Sequence, residues 1–191
     1  MKKKTCLILT GPTAVGKTSL AIQLAQKYNT SIISADSRQC YKEMNIGVAK
    51  PTEEQLQQVP HYFINSHCIS EEVNAGGFEQ FALAAAETIF EKKDIAVMVG
   101  GTGLYIKAFC EGLDSIPGVD PAVREELVRN YELKGLNWLQ QQIEEKDPQF
   151  FTEGEIKNPQ RMLRALEVKL STGMSIRAYQ QGKKIARPFN C

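Results

Sequence analysis

Residues 9–20 read LTGPTAVGKTSL, and the meaning of this stretch decides the fold. Gly11, Pro12, Thr13, Ala14, Val15, Gly16, Lys17 and Thr18 satisfy G-x-x-x-x-G-K-[ST], the pattern of a phosphate-binding P-loop. The flanks supply the context that the mechanism needs. Thr5–Thr10 is a short apolar, β-prone run, and the stretch from Ser19 to Tyr28 carries Leu20, Ile22, Leu24 and Ala25 at helical spacing. Strand, glycine loop and helix in that order aim main-chain N–H groups and the positive end of a helix dipole at one anion. Lys17 adds a mobile positive charge, and Thr18 offers a hydroxyl to Mg2+. The loop is expected to hold a di- or triphosphate. The pattern does not say of what.

Two further strand ends join this loop. Ser31–Asp36 reads as a second strand ending in a carboxylate and followed by Ser37, Arg38 and Gln39. A helix from about Phe78 to Lys93 places Phe78, Phe81, Ala82, Ala85 and Ile89 on one face. It leads into a third buried strand, Ile95–Val99, which ends in Gly100, Gly101 and Thr102. Alternating strands and helices imply a parallel sheet whose ligands sit at the carboxyl ends of the strands. The P-loop, Asp36 and Thr102 all fall at such ends. After Asp114 the texture becomes helical throughout. Asp120-Pro121 caps a helix to about Lys134, another runs from about Asn137 to Lys146, and Asn158-Pro159 caps a third that stops at Gly173. On that third helix Gln160, Arg161 and Arg164 share about one quadrant, while Met162, Leu163, Leu166 and Leu170 point to a core. The fold class is therefore α/β: a P-loop NTPase-like parallel sheet with flanking helices plus a helical insert subdomain. The expected divisions are a core over residues 1–115, an insert over 116–185 and a return to the core from 186 to 191.

Composition narrows the function classes. The chain has 191 residues, 42% of them apolar, which is enough for a real core. It has no run of about 18 apolar residues, and Met1–Lys4 leads into a strand, so neither a membrane span nor a secretory leader is expected. Five cysteines are odd in number, scattered and never C-x-x-C, which fits reduced thiols in the cytoplasm. The two histidines lack ligand spacing for zinc. Net charge is +1, but residues 156–191 carry eight Lys and Arg against one acid. Such a tract suits a polyanion beyond the P-loop ligand, or a solvated face.

A carboxylate opposite a pyrophosphate cradle has two uses. Asp36 could be the Mg2+ ligand of a P-loop kinase or NTPase. It could instead be a general base that takes a proton from a nucleophile as pyrophosphate leaves. Residue type does not separate these.

Four segments together carry a resemblance: "GPTAVGKT" (11–18), "IISADSRQCYKEMNIGVAKP" (32–51), "VGGTGLYIKA" (99–108) and "NPQRMLRALEV" (158–168). In this order they resemble the tRNA dimethylallyltransferase, or tRNA isopentenyltransferase, family. The resemblance implies transfer of a dimethylallyl group from its diphosphate to the exocyclic amine of the adenine 3′ of the anticodon, with release of pyrophosphate and a requirement for Mg2+. It implies that residues 11–18 hold the donor diphosphate, with the Thr18 hydroxyl on the metal. Asp36 would be the general base, and Thr102 would steady the oxygen leaving the allyl carbon. Asp36, Ser37, Arg38, Gln39, Arg124, Gln160, Arg161, Met162, Leu163 and Arg164 would contact the tRNA anticodon loop. Family members continue well beyond Cys191, so this chain is expected to be a truncation that starts another strand near Phe189, and a complete chain is expected to be monomeric. Rival readings are an adenylate dimethylallyltransferase, a P-loop small-molecule kinase and a non-catalytic RNA-binding protein.

Overall fold

A computed structural model describes residues 3–12 and 15–191. They divide into two compact units, one formed by residues 1–113 with 184–191 and the other by residues 114–183. The expected divisions stand at 115 and 185; here the units change at 113/114 and 183/184.

The first unit is built on four strands. In chain order it contains β1 (Thr5–Thr10), α1 (Lys17–Lys27), β2 (Ile32–Ser34), α2 (Glu53–Gln58), β3 (His61–Tyr62), α3 (Ala75–Lys92), β4 (Ile95–Gly100) and α4 (Gly103–Glu111). The strands lie in the order β1-β4-β2-β3, and all named pairs are parallel. β1 and β4 run side by side from Thr5 opposite Ile95 to Thr10 opposite Gly100. The two faces follow from the period of two. Cys6, Ile33, Ala96 and Met98 pack with Phe78, Ala82 and Phe109 of α3 and α4. Ile32 and Val97 pack on the other side with Ala21, Ile22 and Ala25 of α1. Both faces are covered, which is why these strands read as apolar runs rather than alternating ones.

Three differences from the sequence-based expectation have simple causes. β2 is shorter than Ser31–Asp36, because the chain turns as soon as Ala35 passes β4. β3 is a fourth strand that the pattern did not show, since two residues carry no period. α3 begins at Ala75, where the Asn74 side chain accepts from Gly77 N, rather than at Phe78. Near the end of the chain Phe189 is buried beside Phe90 and Phe109. Asn190 accepts from Cys6 N at 2.8 Å and donates to Lys4 O at 2.9 Å, so it pairs in parallel with the free side of β1.

The second unit holds α5 (Pro121–Lys146), α6 (Pro148–Glu153), α7 (Pro159–Thr172) and α8 (Ile176–Tyr179). α5 breaks at Gly135, whose φ of 76° is left-handed, so it is the pair of helices expected on either side of that residue. Asp120 and Asn158 cap as expected, and Gly173 ends α7 with φ of 74°. The core gathers Leu127, Leu139, Ile143, Phe150, Met162 and Leu166. Leu170 does not join it: at 45% exposed, it lies past the end of the covered stretch of α7.

Candidate active site

The P-loop carries its two glycines where only glycine is easy. Gly11 has φ of 145° and Gly16 has φ of 86°, and Gly16 opens α1. Val15 is 61% exposed, so an apolar side chain of the loop faces solvent. Lys17 turns its ammonium back onto the Pro12 carbonyl oxygen, so its charge is held inside the loop. Thr18, the second residue of α1, is half-buried. The expected contacts of Thr13 and Ala14 lie outside the described residues.

The ends of β2 and β4 are bound to each other. Ala35 N donates to Val99 O at 2.8 Å, and Thr102 N donates to Ala35 O at 3.1 Å. A Cβ on Gly100 would fall 2.2 Å from the Ala35 carbonyl oxygen, so only glycine lets the strands pass this closely. Sequence reading gave Gly100 no role; its signal is the Gly-Gly-Thr run after a buried strand.

This crossing fixes Asp36 and Thr102. Asp36 Oδ1 accepts from Arg38 N at 2.9 Å and from Gln39 N at 3.3 Å, an Asx turn that orients the carboxylate and leaves Oδ2 with no protein partner among the described residues. Thr102 Oγ1 accepts from Ser37 N at 3.1 Å. Its hydroxyl proton remains available to an acceptor in front of the sheet. Asp36 is the one acid in residues 11–18, 35–41 and 100–103. Its neighbours are poor bases. Burial pushes the Cys40 thiol up, and burial together with Cys40, Tyr41 and Asp36 raises the Tyr105 phenol to about 12. Gln39 does not point free as an RNA contact would: its Oε1 accepts from Ser34 Oγ at 2.9 Å and its Nε2 donates to Ala49 O at 2.8 Å. Arg38 is exposed, and Ser37 is half-buried.

The donor chemistry fits magnesium. The strand ends carry hard oxygens, the Thr18 hydroxyl after β1 and the Asp36 carboxylate after β2, and no group of three or more His, Cys, Asp or Glu converges among the described residues. A cation here would draw most ligands from a diphosphate and water, which is how Mg2+ is usually held.

The expected contacts in the helical unit divide. Glu167 is fully buried, and it takes Arg124 Nη1 on Oε1 at 2.7 Å and Arg164 Nη1 on Oε2 at 3.2 Å. A buried carboxylate without such partners would be costly, so this pairing is part of the fold. Arg124 and Arg164 stay 53% and 39% exposed, which leaves further N–H groups toward solvent. Arg161 pairs with Glu155, and Gln160 is exposed. Met162 and Leu163 are 0% and 3% exposed. Their expected side-chain contact with RNA is corrected: the inward face of α7 commits both to the core.

The model of the IPP transferase family matches residues 39–191. The chain belongs to this family. The match begins after the P-loop and Asp36, but relatives cover those too. tRNA dimethylallyltransferase of Cytophaga hutchinsonii is 46% identical over 97% of this chain and 61% of its own length. That of Christiangramia forsetii is 45% identical over 94% and 59%. Among solved structures, a eukaryotic dimethylallyltransferase described as acting on tRNA is 29% identical, with a TM-score of 0.75 over 98% of this chain and 46% of that one. The tRNA isopentenylpyrophosphate transferase of Bacillus halodurans is 35% identical, with a TM-score of 0.57 over 90% and 57%. The chain thus spans about three fifths of the length of the curated relatives it matches. No described helix is long and apolar enough to cross a membrane.

Proposed function

We propose that the protein transfers a dimethylallyl group from its diphosphate to the exocyclic amine of the adenine 3′ of the anticodon in tRNA. The observation that carries this reading is the joined turn in which Ser37 N binds Thr102 Oγ1 while Asp36 Oδ1 is held by two main-chain N–H groups. An exocyclic amine is a poor nucleophile because its lone pair is delocalised into the ring. A carboxylate held in one orientation can accept its proton as the new bond forms, an effect of about 10²–10⁴-fold. Thr102 would donate its hydroxyl proton to the oxygen that leaves the allyl carbon. The P-loop N–H groups and Lys17, released from the Pro12 carbonyl, would receive the diphosphate. Mg2+ bound at Thr18 and the diphosphate would add positive charge where pyrophosphate leaves.

Base-modifying enzymes take their target out of the stack and read its edges. Ser37 and Arg38 are proposed contacts for the extruded adenine and its neighbours, with Arg124, Gln160, Arg161 and Arg164 contacting tRNA from the helical unit. The test is incubation with dimethylallyl diphosphate, Mg2+ and undermodified tRNA, followed by nucleoside mass spectrometry. The expected product is adenosine heavier by one dimethylallyl group, found only at the position after the anticodon. Prenylation of free adenylate instead, or phosphoryl transfer from ATP, would sink the proposal.

A further inference from the structure

Residues 41–50 follow the Asp36 turn without forming a helix, and none of their side chains is fully buried. Ile46 is 96% exposed. Tyr41 packs on the core and main-chain bonds tie Lys42 to His67, but burial holds little of the rest, and one side chain draws both ends of the segment together. Lys50 Nζ donates to Tyr41 O at 2.6 Å, to Asn65 Oδ1 at 2.7 Å and to Asn45 Oδ1 at 3.1 Å, with Lys42 O at 3.4 Å. An ammonium has three N–H donors, and the three shorter contacts use them all. Every acceptor is a neutral oxygen, so the ammonium sits as a small cation in an oxygen cage rather than in an ion pair. Asn65 takes its place there with a left-handed φ of 51°, a conformation asparagine tolerates better than most residues.

The cage is continuous with the Asp36 turn. Asn65 receives Lys50 on its side chain, while its main-chain N donates to Gln39 O at 3.1 Å. Gln39 N in turn donates to Asp36 Oδ1, and Gln39 Nε2 reaches Ala49 O beside Lys50. Lys50 and Asp36 are therefore joined through Asn65 and Gln39, and by a second route through Ala49 and Gln39. We infer that Lys50 is a positioning residue for the transfer reaction: its caged ammonium holds residues 41–50 and Asn65 so that the turn carrying Asp36 keeps one geometry. This rests on the reading of Asp36 as the base.

Lys50→Ala tests it, because it empties the cage but leaves its oxygens. In the 191-residue chain, hydrogen exchange at Lys42, Gln39 and Asn65 should rise several-fold, while β1 and β4 stay protected. Added n-propylammonium, which replaces the missing Cγ–Nζ atoms, should restore protection; tetramethylammonium, with no N–H, should not. In the transfer assay kcat should fall by about 10- to 100-fold, in line with slack of up to about 1 Å at a reacting group. The KM for dimethylallyl diphosphate should hold, and n-propylammonium should recover kcat. Lys50→Arg should not substitute, since a planar fork cannot fill a cage built for a tetrahedral donor. Unchanged exchange at the three amides, or loss of protection throughout the sheet, would overturn the inference. If the unaltered chain transfers nothing while the exchange results hold, the cage stands as a brace of the turn, and its catalytic role falls with the reaction.

Discussion

The candidate site residues of the two units are held in different ways. At the strand ends the main chain holds them: Asp36 rests on two backbone N–H groups and Thr102 on the Ser37 N–H. On the helical unit the candidate arginines rest on side chains, Arg124 and Arg164 on Glu167 and Arg161 on Glu155. A group fixed by backbone has nowhere else to go, which suits a reacting centre where reorganisation would slow the step. An arginine paired with a side chain at the surface can add or exchange a partner at modest cost, which suits a surface that meets phosphates. The division of labour proposed above follows this difference in anchoring.

The largest effect expected from breaking the comparison is at Asp36. Asp36→Asn keeps Oδ1 and the Asx turn while removing the base, so turnover should fall by about 10²–10⁴-fold with pyrophosphate affinity within a few-fold. Single-turnover transfer and calorimetric titration measure the two. Lost pyrophosphate binding with chemistry intact would make Asp36 a metal ligand instead. Next is Gly100→Ala, which drives a Cβ into the Ala35 carbonyl. It should destabilise the chain by about 3 kcal/mol in urea unfolding, because the atoms in its way are Ala35 backbone rather than a side chain that can turn aside. Wild-type stability would show that β2 and β4 can part at this point.

Glu167→Gln sharpens the contrast from the other side. It should cost about 1–2 kcal/mol, loosen α7 in hydrogen exchange and leave the sheet amides unchanged. It should also steepen the salt dependence of tRNA binding, since two guanidinium groups lose their carboxylate. A flat or unaltered salt slope would return Arg124 and Arg164 to a purely structural role. The smallest effect concerns pH. His61 bonds Val59 O through Nδ1 at 2.8 Å, while its Nε2 is buried with no partner among the described residues. Burial holds this imidazole below its ordinary 6.5, although its bond to the Val59 carbonyl works against the shift. The unfolded chain therefore binds the extra proton first, so stability is complete above about pH 6.5 and declines as pH falls below it. Replacing His61 by Phe should flatten that decline in unfolding measured between pH 5 and 8.

The contrast in anchoring also explains what the sequence made legible. The P-loop, Asp36 and Thr102 could be read because their chemistry is written in contiguous spacing at strand ends. The caps at Asp120 and Asn158 were legible for the same reason: the cap and the N–H groups it serves lie within three residues. The partners of the arginines were not. Arg124 and Glu167 stand 43 residues apart, beyond any local spacing. Lys50 gave no signal because half of its cage arrives from Asn65 and from carbonyls that any residue could supply. β3 and α2 were too short for periodicity, and Leu170 was misplaced because spacing shows a face of a helix but not where its cover ends.

The position of β1 has a consequence for how the chain becomes a protein. β1 leaves the ribosome well before either of its neighbours, which are Ile95–Gly100 on one side and Asn190 on the other. Parallel pairing over such separations is slow, because long loops must close before any contact rewards them. Residues 114–183, by contrast, are one uninterrupted stretch with their own core, and they are complete before Asn190 is made. Synthesis therefore delivers a finished helical unit while the first strand of the sheet still has one side open, and that side is where a nascent chain would be most exposed to pairing with the wrong partner.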